Sequence, residues 1–229
     1  MKIIDIIKLS RAEFIIWISS VTLIISFFLI FDRGNYWALA ASLIGTTALI
    51  YNSRGEPLGP ALLIIFSIIY GGISFGCRYY GEMITYVGMS LPMAVFALVS
   101  WLRNPFEKGK TQVRVNRIGK TEILLMLLLS VVVTVAFYFI LKYFGTANLL
   151  PSTLSVTTSF IAAYLTFRRS PYFALAYATN DVILIVLWTL ATIKDISYLS
   201  VLVCFGVFLF NDTYSFIRWR IMQRRQEQG

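Results

Sequence analysis

The sequence contains no histidine, only two cysteines and 14% charged residues, against roughly 25% in an ordinary soluble domain. Without histidine, the commonest metal ligand and the commonest general base are missing. Cys77 and Cys204 lie inside apolar stretches, with no CxxC pair and no second ligand type beside them. They read as small buried hydrophobes, not as a disulfide or a metal site. Neither a metal nor a cofactor is expected. Long polar stretches are also scarce: the longest within the chain runs about from Leu102 to Lys120. A chain of 229 residues so built has no room for a soluble catalytic domain, and a single domain over residues 1–229 is expected.

What fills the chain instead is apolar sequence, 58% of all residues. A membrane-spanning helix needs about 20 mostly apolar residues. Eight stretches approach that length: Phe14–Ile30, Tyr36–Tyr51, Leu58–Cys77, Met83–Trp101, Ile123–Leu141, Leu149–Phe167, Tyr172–Ile193 and Ile196–Ile217. The second is the shortest. The fold class expected is an all-α polytopic membrane protein of about eight transmembrane helices. The opening MKIIDIIKLSRAEF resembles a secretory n-region, but the apolar stretch behind it is too long for a cleaved signal and reads as a retained first span.

The basic residues set the orientation. With the N-terminus inside, 16 of the 20 Lys and Arg fall on the cytoplasmic side: Lys2, Lys8, Arg11, Arg54, Arg103, Lys108, Lys110, Arg114, Arg117, Lys120, Arg168, Arg169, Arg218, Arg220, Arg224 and Arg225. Only Arg33, Arg78, Lys142 and Lys194 fall outside. That is the positive-inside bias, and it places both termini in the cytoplasm. The basic loop KGKTQVRVNRIGK, from Lys108, reads as an anchor on anionic headgroups. No nucleic-acid partner is implied.

The chain carries a weak internal likeness. GTTALIYNSRGEPLGPALLIIF, from Gly45, matches VTTSFIAAYLTFRRSPYFALAY, from Val156, and EMITYVGMSLPMAVFALVSWLR, from Glu82, matches KDISYLSVLVCFGVFLFNDTYS, from Lys194. Each unit holds three spans, residues 36–101 and 149–217, and the single span 123–141 separates them. One linking helix makes the two units parallel, a 1+3+1+3 plan with residues 14–30 in front. In parallel-repeat transporters the substrate lies between the units.

Ionisable residues at membrane depth are costly and mark function. Two acids lie well inside spans, Asp181 and Asp212, each preceded by an asparagine, Asn180 and Asn211. Counting from the cytoplasmic ends, the pairs differ by only about 6 Å in depth at the helical rise. Tyr177, Asp181 and Trp188 share one helical stripe, Tyr214 lies beside Asn211, and Tyr86 and Trp101 share a face of the fourth span. Rings, amides and carboxylates suit a flat heteroaromatic ring carrying hydroxyls. Trp101 and Trp219 would serve equally as interfacial anchors. Asn180 and Asn211 would serve as interhelical hydrogen bonds, and Asp212 as a partner of Arg218 or Arg220.

At these residues the chain resembles the PnuC family of bacterial vitamin transporters, whose typical substrate is nicotinamide riboside. The matching stretches are YYGEMITYVGMSLPMAVFALVSWLRNP, from Tyr79, and NDVILIVLWTLATIKDISYLSVLVCFGVFLFNDTYSFIRW, from Asn180. The resemblance implies a 3+1+3 core of parallel repeats, similar to the SWEET sugar transporters, in the bacterial inner membrane. It implies facilitated diffusion of the substrate, which is then trapped inside by phosphorylation. The family's WxxWxxN pattern reads here Leu98-x-x-Trp101-x-x-Asn104, with one Trp missing, and the first unit offers Tyr86, Met89 and Met93 where amides are usual. Asn104 joins the candidate substrate residues on this ground. Relatives of the family carry thiamine or riboflavin, so either vitamin is an alternative cargo. A second alternative is a vitamin-binding membrane subunit of an ATP-driven importer. An intramembrane enzyme would need a dense acidic or nucleophilic cluster in one span, which is absent, so no enzymatic activity is expected. A homo-oligomer such as a trimer is compatible with the pattern.

Overall fold

The computed structural model describes residues 9–76, 80–107, 109–146 and 148–228. Lys2, Lys8, Cys77, Arg78, Tyr79 and Lys108, which enter the sequence argument, lie outside the described residues. Among the described residues the fold is helical throughout, with a single isolated β-bridge between Pro105 and Val113. In chain order the long helices are α1 (Arg11–Phe31), α2 (Tyr36–Ser53), α3 (Leu58–Gly76), α4 (Tyr80–Arg103), α5 (Lys120–Tyr143), α6 (Leu149–Phe167), α7 (Phe173–Thr192) and α8 (Leu199–Gln228). All except α2 are long and apolar enough to cross a membrane. The protein is a multi-pass membrane protein.

Local chemistry fixes several helix ends. Ser10 accepts from the Glu13 backbone N–H while Glu13 accepts from that of Ser10, a reciprocal cap on α1. The Asn35 side chain caps α2 by accepting from the Ala38 N–H. In α4, residues Thr85–Ser90 widen into a π turn, in which the Leu91 N–H reaches back to the Tyr86 carbonyl. Pro92 follows directly and has no N–H to donate, so the regular ladder cannot run through this point.

Helix α2 differs in surroundings from the other seven. Half of its residues are buried, Asn52 and Ser53 among them, because α1, α3 and α8 pack around it. A helix enclosed by protein needs less apolar surface than one facing lipid. Gly59 sits where α3 starts against the end of α2, and a side chain there would run into both the side chain and the backbone of Asn52. Helix α5 is the opposite case. It packs mainly on α6 and exposes Leu124, Leu128, Val131, Val132, Val135 and Phe139. That apolar face fits lipid.

The turns after α2 and α6 have the same geometry. Gly55 at φ +68° and Arg169 at φ +57° are left-handed, and each donates to a carbonyl three residues back, Asn52 and Thr166. The next N–H groups, of Glu56 and Ser170, reach five residues back to Tyr51 and Leu165. This is the paired 6→1 and 5→2 closure of a Schellman motif, made twice. The loop between α4 and α5 crosses both turns. Its Val113 N–H donates to the Gly55 carbonyl (2.9 Å) and its Asn116 N–H to the Arg169 carbonyl (3.0 Å). Gln226 near the end of α8 holds the same loop by accepting from the Val115 N–H (2.8 Å) and donating to the Val113 carbonyl (3.0 Å). The basic loop is thus a strap built into the protein, with Val113 fully buried.

Beneath the strap lies a packed layer of Trp101, Phe173 and Trp219, all fully buried, with Met126, Leu165 and Met222. The layer closes one end of the helical bundle.

Candidate substrate site

Above that layer a cavity of about 190 Å³ runs between the helices. Helices α3, α4, α6, α7 and α8 supply most of its walls, with Leu49 from α2, Leu141 from α5 and Thr146 just after it. From α7 come Tyr177, Asn180, Asp181, Leu184 and Trp188, the expected helical stripe with Asn180 beside it. From α8 come Phe205, Phe208 and Asp212, and from α4 Tyr86, Ser90 and Met93. The widened turn Thr85–Ser90 faces the cavity through Thr85, Tyr86 and Ser90.

Asp181 and Asp212 are brought together. Their side chains hydrogen-bond to each other across α7 and α8, and both are almost fully buried. Each keeps one oxygen with no protein partner, Oδ2 of Asp181 and Oδ1 of Asp212. Buried polar atoms are nearly always satisfied, so two orphaned carboxyl oxygens on residues that line a cavity point to a polar ligand there. Arg218 does not serve Asp212: it pairs with buried Glu13 of α1 at 3.3 Å, and Arg220 donates to Gln223 (2.8 Å). The Asn180 carbonyl oxygen accepts from the Thr158 hydroxyl (2.9 Å).

Two aromatic groups line the same cavity. Trp188 lies 5.5 Å from Tyr198 and 6.4 Å from Phe205, which in turn meets Phe208 at 5.8 Å. Tyr86 meets Tyr70 at 4.6 Å and Phe66 at 5.9 Å. The α6 wall between them carries hydroxyls, Ser152, Ser155 and Ser159.

Four sequence candidates lie elsewhere. Trp101 is in the closing layer, with its indole N–H donating to the Thr166 carbonyl (2.8 Å). Asn104 follows the end of α4, where its amide donates to the Ser100 carbonyl (2.7 Å). Asn211 turns toward α1 and donates to Ser20 Oγ (3.1 Å) and to the Val207 carbonyl (2.8 Å). Tyr214 is half-buried near Arg218 and Glu13.

The cavity also holds residues that the sequence did not single out. Glu82 lines it from the first turn of α4, with Tyr70, Phe66 and the α6 serines. Glu82 sits at a span end, where a charge is unremarkable. The serines repeat at helical spacing, the one signal available for them.

The family model described as Nicotinamide mononucleotide transporter matches residues 35–221. A nicotinamide riboside transporter PnuC of Neisseria mucosa is 22% identical over 201 residues, 86% of this chain and 76% of its own length. The solved structure described as the crystal structure of the vitamin B3 transporter PnuC has a TM-score of 0.80 at 20% identity, covering 96% of this chain and 94% of its own. It shares the fold.

Proposed function

Because this chain belongs to the nicotinamide mononucleotide transporter family, we propose that it carries nicotinamide riboside across a bacterial inner membrane by facilitated diffusion. The observation that carries this reading is the cavity between α4, α6, α7 and α8, lined both by aromatic rings and by two carboxyl groups that each keep an unpartnered oxygen. Trp188 and Tyr86 take the flat ring, while Asn180, Asp181 and Asp212 take its carboxamide and the ribose hydroxyls. The riboside is favoured over the mononucleotide named by the family because, among the described residues, the cavity lining contains no Lys or Arg. A phosphate brought into such a site would meet carboxyl groups and no counter-charge.

Transport proceeds by alternating access. Two parallel three-helix units, α2–α4 and α6–α8, rock about the fixed site, with α5 as the link and α1 in front. The paired Schellman turns support this plan, as does the strap that bonds both of them. The excess of Lys and Arg at the strap end supports cytoplasmic termini. Phosphorylation inside the cell then prevents the substrate from returning.

The test is uptake of labelled nicotinamide riboside by proteoliposomes containing this chain alone. A facilitator fills the vesicles to the outside concentration with no ATP. An importer subunit that depends on an ATP-driven partner gives no uptake, and that result overturns the proposal. Unlabelled thiamine and riboflavin are expected to compete weakly.

A further inference from the structure

Charge is distributed unevenly in this molecule. Lys and Arg outnumber Asp and Glu by 20 to 11 over the chain, yet among the described residues the cavity is lined by three carboxyl groups, Glu82, Asp181 and Asp212, and by no basic residue. The carboxyl groups of Asp181 and Asp212 hydrogen-bond to each other, which needs a proton between them, and a cation placed beside them favours the singly charged form of the pair over the neutral one. Its flanking arginines are engaged elsewhere, Arg218 with Glu13 and Arg220 with Gln223. A buried charge without a counter-ion is costly. Both residues line the cavity and each keeps one buried oxygen with no protein partner, Oδ2 of Asp181 and Oδ1 of Asp212, so a cation in the cavity can supply the counter-charge.

We propose that Asp181 and Asp212 act together as a counter-ion that selects a permanently cationic heteroaromatic ring over its neutral counterpart. This rests on the substrate reading above and adds to it the property that is read, the positive ring nitrogen. Aromatic rings line the same cavity, Trp188 packed with Phe205 and Tyr86 with Tyr70. Their faces attract a cation as well. Glu82, in the first turn of α4, extends the negative field along the cavity.

The test separates charge from shape. Reduced nicotinamide riboside keeps the ribose and the carboxamide but has lost the ring charge. Affinities of the oxidised and reduced forms are measured by titration calorimetry on the purified protein, then on the double variant Asp181→Asn/Asp212→Asn, since either carboxyl alone can carry the single charge. The oxidised form is expected to bind about 10- to 100-fold more tightly to the wild type, with a ratio near one in the double variant, which keeps the side-chain size. Equal affinity for the two forms in the wild type overturns charge selection, leaves the substrate reading intact and needs no variant to fold. Binding of neither form overturns both. An unchanged ratio in the folded double variant removes the role from the pair.

Discussion

Trp101 and Trp219 make the same hydrogen bond in opposite directions. Trp101 at the end of α4 donates to the Thr166 carbonyl in the last turn of α6 (2.8 Å), and Trp219 of α8 donates to the Asn52 carbonyl in the last turn of α2 (2.7 Å). Their rings meet between these bonds, 5.4 Å apart. The two acceptors occupy equivalent places in the paired Schellman turns. Trp101→Phe and Trp219→Phe each remove one donor and leave a buried carbonyl with only its turn bond. Each is expected to cost about 1–2 kcal/mol, read as a lower melting temperature in detergent. The double variant should lose less than the two together, because the rings touch. Either single variant melting like the wild type would remove the structural role.

The strap depends on one amide. Gln226 pairs with both Val113 and Val115 as a neighbouring strand would. Gln226→Ala should leave the strap held mainly by its bonds to the two turns. Losing about 1 kcal/mol of local stability raises the open fraction about fivefold. Trypsin cleavage after Arg114 and Arg117 should rise by the same factor, since proteolysis tracks opening. Gln226→Glu keeps the acceptor for Val115 and loses the donor to Val113, so its cleavage rate should fall between the two.

Much of this architecture can be read from the sequence, and the unread part has definite causes. The apolar runs mark the helices because lipid demands length and apolarity. The Tyr177, Asp181, Trp188 stripe is legible because helical spacing puts these residues on one face. The register of the internal likeness is less legible. Apolar similarity aligns Gly55 with Thr166, whereas the turn geometry pairs Gly55 with Arg169. Leu, Ile and Val match in many registers, and a non-glycine residue at positive φ hides the turn signal. The strap reads as a surface anchor from its Lys and Arg, while its buried member is Val113. The direction of Asn211 is set by Ser20 on a distant helix, which no local spacing reveals.

That Asn211–Ser20 contact ties α1 to α8 beside the acid pair. Ser20→Ala and Asn211→Ala are each expected to destabilise by about 0.5–1.5 kcal/mol, with a coupling of roughly 0.6 kcal/mol between them, as for other hydrogen bonds within membranes. A double-mutant cycle on thermal unfolding measures it. Full additivity would mean that the contact contributes nothing.

Gly55 cannot be exchanged as easily as its counterpart. It stands at φ +68°, and a methyl there would lie 3.1 Å from Met222 Cε and 3.2 Å from Val113 Cγ1. Gly55→Ala therefore adds left-handed backbone strain of about 1–2 kcal/mol to a tight contact. Arg169 already meets that strain at φ +57° and offsets it by donating to Ser100 Oγ (2.7 Å) and the Arg114 carbonyl (3.2 Å). Arg169→Gly should cost less than Gly55→Ala, because relief of strain opposes the lost bonds. Melting curves in the same detergent rank the two, and the reverse order would refute this account of the turns.

The map of the site makes a contrast that uptake can test. Trp188 lines the cavity and packs against Tyr198 and Phe205, whereas Asn104 stands beyond the closing layer and bonds to its own helix end. Removing the indole takes away a stacking surface of the order of 1–3 kcal/mol. Trp188→Ala should therefore lower initial uptake of nicotinamide riboside at least about tenfold, with normal yield of folded protein. Asn104→Ala should leave uptake near the wild-type rate, since the backbone carbonyl of Asn104, not its amide, receives the strap through Arg114. Equal losses in the two variants would place the substrate nearer the strap than the cavity and would overturn the assignment of the α7 stripe.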